Sequence, residues 1–424
     1  MIRLNRKNKY SLTFFAALII LGLTLIACVV FLLVTKGSIK DGIDFTSYYA
    51  LSDMGQLLGY ALAENPYTEG YSTMYLPLCF LLIKPFALIC AGRNEFSVIS
   101  EIDVDSPQKY QQILQYNYGV LHTPQFWIAA VSFYLIFITL CGIVLYKIVK
   151  WENRNNFILF YLAVVMSGPF AFGIFRGTNL FQGLLFVLLF LWLYRSPVKW
   201  QREIALVCLA TAGVLKLYPL LFGALLLKEK RFFESVRVAV YFFILAILPF
   251  AFYENPLSTM KAYLINIVDF ANSSDRINDT SSLSVYSFFT FIFSVFRIEG
   301  TSFARFFCIG ATVLTFALSV TVAIGSKSAL KRFTAICCGI IAVPQVSYFY
   351  VLIFTVIPLF ALIEEWNGLT VKEKVLYALF FIACILPFVA LRFYVVHTAI
   401  TLTLLIIETI ALVKRKSVNK IKNT

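Results

Sequence analysis

Charge is scarce in this chain. Asp, Glu, Lys and Arg make up 14% of its 424 residues, where a soluble domain carries about 25%. A water-soluble globular protein is excluded. Histidine occurs only twice, at His122 and His397, too far apart for a His-rich metal site. The nine cysteines show no C-x-x-C spacing, and Cys28, Cys79, Cys141, Cys208 and Cys384 lie inside apolar runs as small buried hydrophobes. No internal repeat and no linker marks a second soluble unit, so residues 1–424 read as a single integral-membrane domain. The basic MIRLNRKNKY start leads into an apolar run too long for a signal-peptide core, with no small-residue cleavage site. It reads as an uncleaved first helix.

What is present is apolar. Hydrophobic residues reach 60%, with 43 Phe and 23 Tyr, and mean hydropathy is +0.83. Twelve hydrophobic runs lie between residues 11 and 413. They predict an all-α polytopic bundle with about 10–13 membrane segments, some broken or re-entrant. The net charge of +14 sits in short loops and at both tails. That is the pattern of cytoplasmic anchoring and not of nucleic-acid binding. The basic loops 147–154, 195–202, 228–237 and 327–332 and both termini are therefore expected on the cytoplasmic side of a cell membrane. Loops 36–73, 93–123 and 254–284 lack a basic excess and are expected outside.

With these sides assigned, run 203–227 starts and ends inside yet is too short to cross twice. Gly213, Lys216 and Pro219 break its middle, which predicts two half-helices with Lys216 near the tip. Run 333–363 is expected to break likewise around Pro344. Irregular backbone at membrane depth is tolerated where protein buries it or a wet cavity lines it. Run 74–92 either dips and returns, with a break near Pro77, Lys84 or Pro85, or spans; the outside placement of 93–123 favours the former.

The stretch from Asp41 to Leu78 is the polar exception. Phe45, Tyr48, Tyr49, Leu57, Leu58, Ala61 and Leu62 recur at helical spacing and predict an amphipathic helix in the outer interface, ended by Asn65-Pro66. Asp44, at its start, has two readings. One is a helix N-cap; the other is a general base beside a cavity. Asp53, nine positions on, falls roughly 180° round a continuous helix and is expected to face water. Asp41 is a second acid of undecided role.

Together these residues resemble a family. Asp44-Phe-Thr-Ser-Tyr-Tyr-Ala, Asn65-Pro-Tyr and Tyr75-Leu-Pro-Leu are similar to the first outer loop of glycosyltransferase family 87, membrane enzymes of the GT-C fold that include polyprenyl-phosphate-mannose-dependent α-1,2-mannosyltransferases. Further motifs follow in order: Arg176-Gly-Thr-Asn179, Gly213-Val-Leu-Lys-Leu-Tyr-Pro219, Ser282-Leu-Ser-Val and Pro344-Gln-Val-Ser-Tyr-Phe-Tyr350. The resemblance spans about residues 40–365. It departs at Thr178, where the family has Gln, and at Phe349, where it has His; the Asn-Gln before Ser-Leu is missing. A branch with a different sugar or acceptor is implied.

The resemblance implies a hexosyltransferase that moves a mannose-like sugar from a polyprenyl-phosphate donor to a glycan or lipid-linked acceptor at the outer face. Asp44 would be its general base. A monophosphate leaving group makes a metal less needed, so no cofactor is expected, although Asp41 and Asp44 have carboxylates suited to Mg²⁺ or Mn²⁺. Lys216 and Arg176 are the candidate phosphate partners, with Asn179, Tyr75 and Tyr348 lining the site. Lys216 has a second reading as a snorkelling side chain, and Arg176 as a loop arginine paired with a nearby acid. Lys84 would meet phosphate or snorkel. Arg392 and His397 are expected to touch lipid headgroups, and His122 to lie on the surface. Tyr218 and Tyr350 also flank the breaks, as packing or as sugar platforms. Loop 254–284 is placed to cover an acceptor site.

Two other classes compete. A transporter or flippase for a lipid-linked sugar would also use broken helices and a membrane lysine, but usually shows repeats. An O-antigen polymerase or ligase would carry an Arg-rich late loop, and loop 254–284 holds only Arg276.

Overall fold

The computed structural model describes residues 14–26, 51–67, 73–92, 109–149, 154–272, 282–298, 300–385 and 393–422. Among them every regular element is helical. Five helices are long and apolar enough to cross a membrane: Pro124–Val149, Phe232–Phe252, Ser302–Gly325, Phe349–Gly368 and Tyr394–Lys414. Arg154–Val165 and Gly168–Arg176 form a sixth if counted as one segment bent by 56°. Shorter apolar helices at Phe14–Ile26, Pro77–Cys90, Leu180–Leu193, Tyr218–Lys228 and Val285–Val295 fill the bundle. This is the polytopic helix bundle expected from hydropathy.

Local chemistry sets several helix starts. Proline opens Pro124–Val149 and Pro77–Ala87, where its missing N–H costs nothing. Ser284, Thr301 and Ser328 accept the backbone N–H of Ser287, Ala304 and Lys331 and so cap three later helices.

The bundle has two chemically different ends. One collects the basic loops. Arg195 and Arg231 pair with Glu229, Arg231 and Arg237 with Glu234, and Arg237 with Glu203. Lys331 lies between Glu373, at 2.6 Å, and the buried Glu408, at 3.0 Å. The Glu365 carboxylate accepts Ser328 Oγ and the Ala329 and Leu330 amides, closing the start of Ala329–Ala342. The other end carries Ser52–Leu62, the turn after Arg176 and both helix breaks.

Both breaks fall where expected. Helix Lys199–Leu215 stops at Lys216, whose backbone is extended at φ −155°. The chain then returns as Tyr218–Gly223 and Ala224–Lys228. Gly213 permits the fold-back, because a Cβ there would lie 2.5 Å from the Leu220 side chain. Ala329–Ala342 likewise ends before Pro344, and the chain resumes as Phe349–Thr355 and Val356–Glu365.

Two expectations are corrected. Pro77–Ala87 runs unbroken through Pro85 into Leu88–Cys90, so no break occurs at Lys84 or Pro85. Both of its ends meet elements of the site-bearing end. Cys79 receives Asn179 Nδ2 at 3.0 Å. Cys90 lies near Tyr116, whose hydroxyl donates to the Gly55 carbonyl at 2.9 Å. The second correction concerns the first outer loop. Its described helix begins only at Ser52 and does not turn its apolar face to lipid: Met54, Leu57, Leu58 and Tyr60 are buried. It packs against Pro77–Ala87, Lys109–Leu121 and Gly168–Arg176, so protein covers the apolar side that lipid was expected to cover.

Candidate functional site

The site begins with a backbone contact. Leu51 precedes its helix in the left-handed region, φ 53°, which costs a non-glycine residue about 1–2 kcal/mol. Its N–H donates to the Phe175 carbonyl at 2.6 Å. Opposite it, Gly177 ends Gly168–Arg176 with φ 79°. A Cβ on Gly177 would lie 2.6 Å from Met54 N and 2.9 Å from Leu51 Cα. The two turns therefore touch main chain to main chain. One consequence is that Arg176 Nη2 reaches Asp53 Oδ1 at 3.0 Å.

This corrects the expectation for Asp53. It does not face water alone; it pairs with Arg176, and both side chains are largely buried. Arg176 is then no isolated phosphate cation, but one whose charge an acid already balances. A charge-assisted bond of this kind contributes about 1.5–3 kcal/mol. Asp53→Asn should lower stability by about 2 kcal/mol in thermal unfolding of the purified protein. Adding Arg176→Gln in that background should cost little more. Additive losses would show that the pair is not coupled.

The second centre is Lys216. At the helix break its Nζ donates to the Tyr75 hydroxyl at 3.2 Å and stands 4.3 Å from the Tyr75 ring centroid. Tyr75 is held in turn, since the Tyr67 hydroxyl donates to its carbonyl at 2.7 Å. Asn266, on helix Pro256–Asn272, donates to the carbonyls of both Tyr67 and Thr73. Helix Pro256–Asn272 is thus tied to Tyr67 and Thr73.

The third piece is the chain after Pro344. Leu283 N–H donates to the Ser347 carbonyl at 2.6 Å, and Ser347 N–H donates to Ser282 Oγ at 2.8 Å. Ser284 Oγ donates to the Gln345 carbonyl, and Thr398 Oγ1 to the Leu283 carbonyl. This clamp presents Tyr348 and Tyr350, whose rings lie 5.8 Å apart. Phe172 stacks on Tyr350 and meets Phe349 edge-on. Phe349 is therefore a packing residue. Tyr350 lies within electrostatic reach of Lys216, Asp53, Tyr75 and Arg176, which brings the three pieces together at one end.

Of the expected site residues, Lys216, Tyr75, Arg176 and Tyr348 converge here. Asn179 lies beside them but is fully buried, with Nδ2 on Cys79 Sγ and Oδ1 unpartnered. Asp44 and Asp41 lie outside the described residues, as does Arg392. Lys84 is exposed on its helix and touches none of these groups. His122 is exposed as expected. His397 is not at a headgroup: it is 1% exposed, with Nε2 3.4 Å from Cys384 Sγ. Among the described residues no three His, Cys, Asp or Glu side chains come together to hold a metal. Asp53 and Tyr134, which lies within reach of Asp53 and Tyr75, are the residues sequence reasoning missed. A lone arginine at an otherwise uncharged turn was the signal that some acid had to meet it.

Residues 118–344, a little over half of the chain, match the profile of glycosyltransferase family 87. The chain belongs to this family. The match covers the Arg176 turn, the Lys216 break and the Ser282 segment; it begins after the first outer loop. No curated protein and no solved structure matches the chain. Membership makes the protein a glycosyltransferase, so the two converging cations belong to a transferase and not to a transporter. A sugar donor and an acceptor are its substrates.

Proposed function

We propose that this family 87 enzyme moves a hexose, mannose-like, from a polyprenyl-phosphate donor to a glycan or lipid-linked acceptor at the outer face of the cell membrane. The observation that carries this reading is Lys216. It interrupts an apolar run, occupies the break where helix Lys199–Leu215 ends, and meets Tyr75 at the end of the bundle away from the basic loops. A cation is costly in an apolar setting unless it serves a partner. A lipid-linked phosphate arriving from the bilayer is such a partner.

Asp44 is the proposed general base. Leu51 is anchored beside Arg176, and the short chain from Asp44 to Leu51, roughly 25 Å at full stretch, allows the Asp44 carboxylate to reach the site. In the proposed step the acceptor oxygen forms a bond to the anomeric carbon as its proton passes to the Asp44 carboxylate. The bond from that carbon to the phosphate oxygen breaks, and the electron pair leaves on polyprenyl phosphate. The anomeric configuration inverts. Lys216 balances the growing phosphate charge, and Tyr75 and Tyr348 offer aromatic faces to the sugar. Asp41 is a further candidate for substrate contact. The basic loops, gathered at the other end with both termini proposed beside them, support an inside assignment for that end.

The test is donor choice. Purified enzyme should form product from a polyprenyl-phosphate hexose and none from the matching nucleotide sugar. Transfer from the nucleotide sugar alone would remove the lipid donor from the reading. Lys216→Met should lower kcat/KM for the lipid donor about 100-fold, while Tyr75→Phe, which keeps the ring, should cost only several-fold. Unchanged kinetics in Lys216→Met would return this lysine to a snorkelling role.

A further inference from the structure

At the basic end of the bundle Arg332 stands without a partner among the described residues. Its Nε is buried without a hydrogen bond, and no carboxylate of the described residues pairs with its guanidinium. The charges that face it are Arg195, Glu365 and Glu229, together with the Tyr194 ring. Both acids are already committed. Glu229 holds Arg195 and Arg231, and Glu365 accepts from Ser328, Ala329 and Leu330.

Next to Arg332 stands Lys228, which faces Arg332, Arg195, Lys327 and Glu229. Its Nζ donates to the carbonyls of Ile324 and Ser326, so its charge meets dipoles and no acid. Arg195 and Arg231 lie 5.1 and 5.9 Å from the Tyr194 ring centroid. Four separate stretches of chain thus bring cations to one place: the turn after Leu180–Leu193, the end of Ala224–Lys228, the turn before Ala329–Ala342 and that helix's first turn. Positive charge exceeds negative there, and an arginine with an unused buried donor lies among it. Buried donors are almost always satisfied, and a planar guanidinium fork suits phosphate oxygens.

We infer that Arg332, with Lys228, Arg195 and Lys327, forms a binding site for a phosphate group at the end of the bundle opposite Lys216. This site is separate from the transfer reaction and does not rest on the donor proposed for it. The phosphate belongs either to an anionic lipid headgroup at the membrane surface, which basic pockets between membrane helices hold well, or to free phosphate from solution.

The test uses the full chain purified in detergent. In native mass spectrometry the wild type should retain phosphatidylglycerol in preference to phosphatidylcholine, and Arg332→Gln should weaken that retention roughly tenfold. Lys199→Gln removes an exposed charge from the same end and should leave retention unchanged. In a parallel arm, inorganic phosphate is compared with chloride at equal ionic strength in thermal unfolding. Stabilisation by phosphate that Arg332→Gln abolishes, without lipid retention, would assign the site to the soluble anion. Arg332→Gln removes no hydrogen bond and should melt as the wild type does in phosphatidylcholine. Should it melt lower, Lys327→Gln, at an exposed position, serves as the independent variant and should weaken binding several-fold. Equal lipid and phosphate responses in the wild type and these variants, or equal losses in Lys199→Gln, would overturn the site.

Discussion

Asp44→Asn should reduce transfer about 1000-fold or more, with kcat falling and the donor KM nearly unchanged. Asparagine keeps the size and polarity of the side chain but cannot take a proton. General-base assistance is worth about 10²–10⁴ in rate, and a group that acts only in the transition state lowers kcat and kcat/KM together. Asp41→Asn should cost far less, because one base suffices for a single displacement. The measurement is steady-state transfer by the purified variants with a polyprenyl-phosphate hexose. Activity of Asp44→Asn within tenfold of the wild type would remove Asp44 from the base role. Asp53 would then be the next acid to examine, since it stands at the same end of the bundle, 3.0 Å from Arg176. A large KM effect with intact kcat would instead make Asp44 a binding residue.

Gly177→Ala should abolish the folded site. Two costs add. The left-handed backbone at φ 79° penalises any L side chain by about 1–2 kcal/mol. The new Cβ would also press on Met54 N, at 2.6 Å, and on Leu51, where the neighbour is main chain and cannot rotate away. Relief requires the helix Ser52–Leu62 to separate from Gly168–Arg176, which breaks the Leu51–Phe175 hydrogen bond and parts Asp53 from Arg176. A loss of about 4 kcal/mol or more is expected, read as a collapse of monodisperse yield and a fall in Tm. Gly92→Ala separates the two costs. Gly92 is also left-handed, at φ 77°, but its Cβ would meet nothing within 4 Å, so only the conformational cost of about 1–2 kcal/mol should appear. Equal effects at the two positions would mean that the close approach contributes nothing.

Much of this architecture was legible because lipid leaves so few choices. A lysine between a glycine and a proline inside an apolar run marks a break wherever the chain puts it, and Lys216 sits at one. Pro344 follows the same logic. The site-bearing turn was found by its motif, Arg176 to Asn179, but its electrostatics were not. Counting helical angles from Asp44 turns Asp53 toward water. That count assumes one continuous helix, and the described helix starts at Ser52 behind a left-handed Leu51. Across such a residue, angular bookkeeping has no meaning. The periodicity of Leu57, Leu58 and Ala61 correctly announced an apolar face, yet periodicity cannot tell lipid from protein as its cover. Here the cover is protein, supplied by the next helix, Pro77–Ala87, and by Lys109–Leu121 and Gly168–Arg176. His397 misled for a related reason: it adjoins a polar turn in the sequence but packs between helices on Cys384. Pro85 shows the reverse error, since a proline permits a break without compelling one.

The cysteines described above carry a practical consequence. All eight that fall among the described residues are buried, and water-borne thiol reagents act on exposed thiolates. The described part of the chain is therefore close to silent toward an aqueous maleimide without replacement of its native thiols. Only Cys28, outside the described residues, needs substitution before a reporter is introduced. His122 and Lys199 are both exposed and lie at opposite ends of the bundle. Each offers a position where a single engineered thiol, read with a membrane-impermeant label, would report which face of the bilayer that end meets.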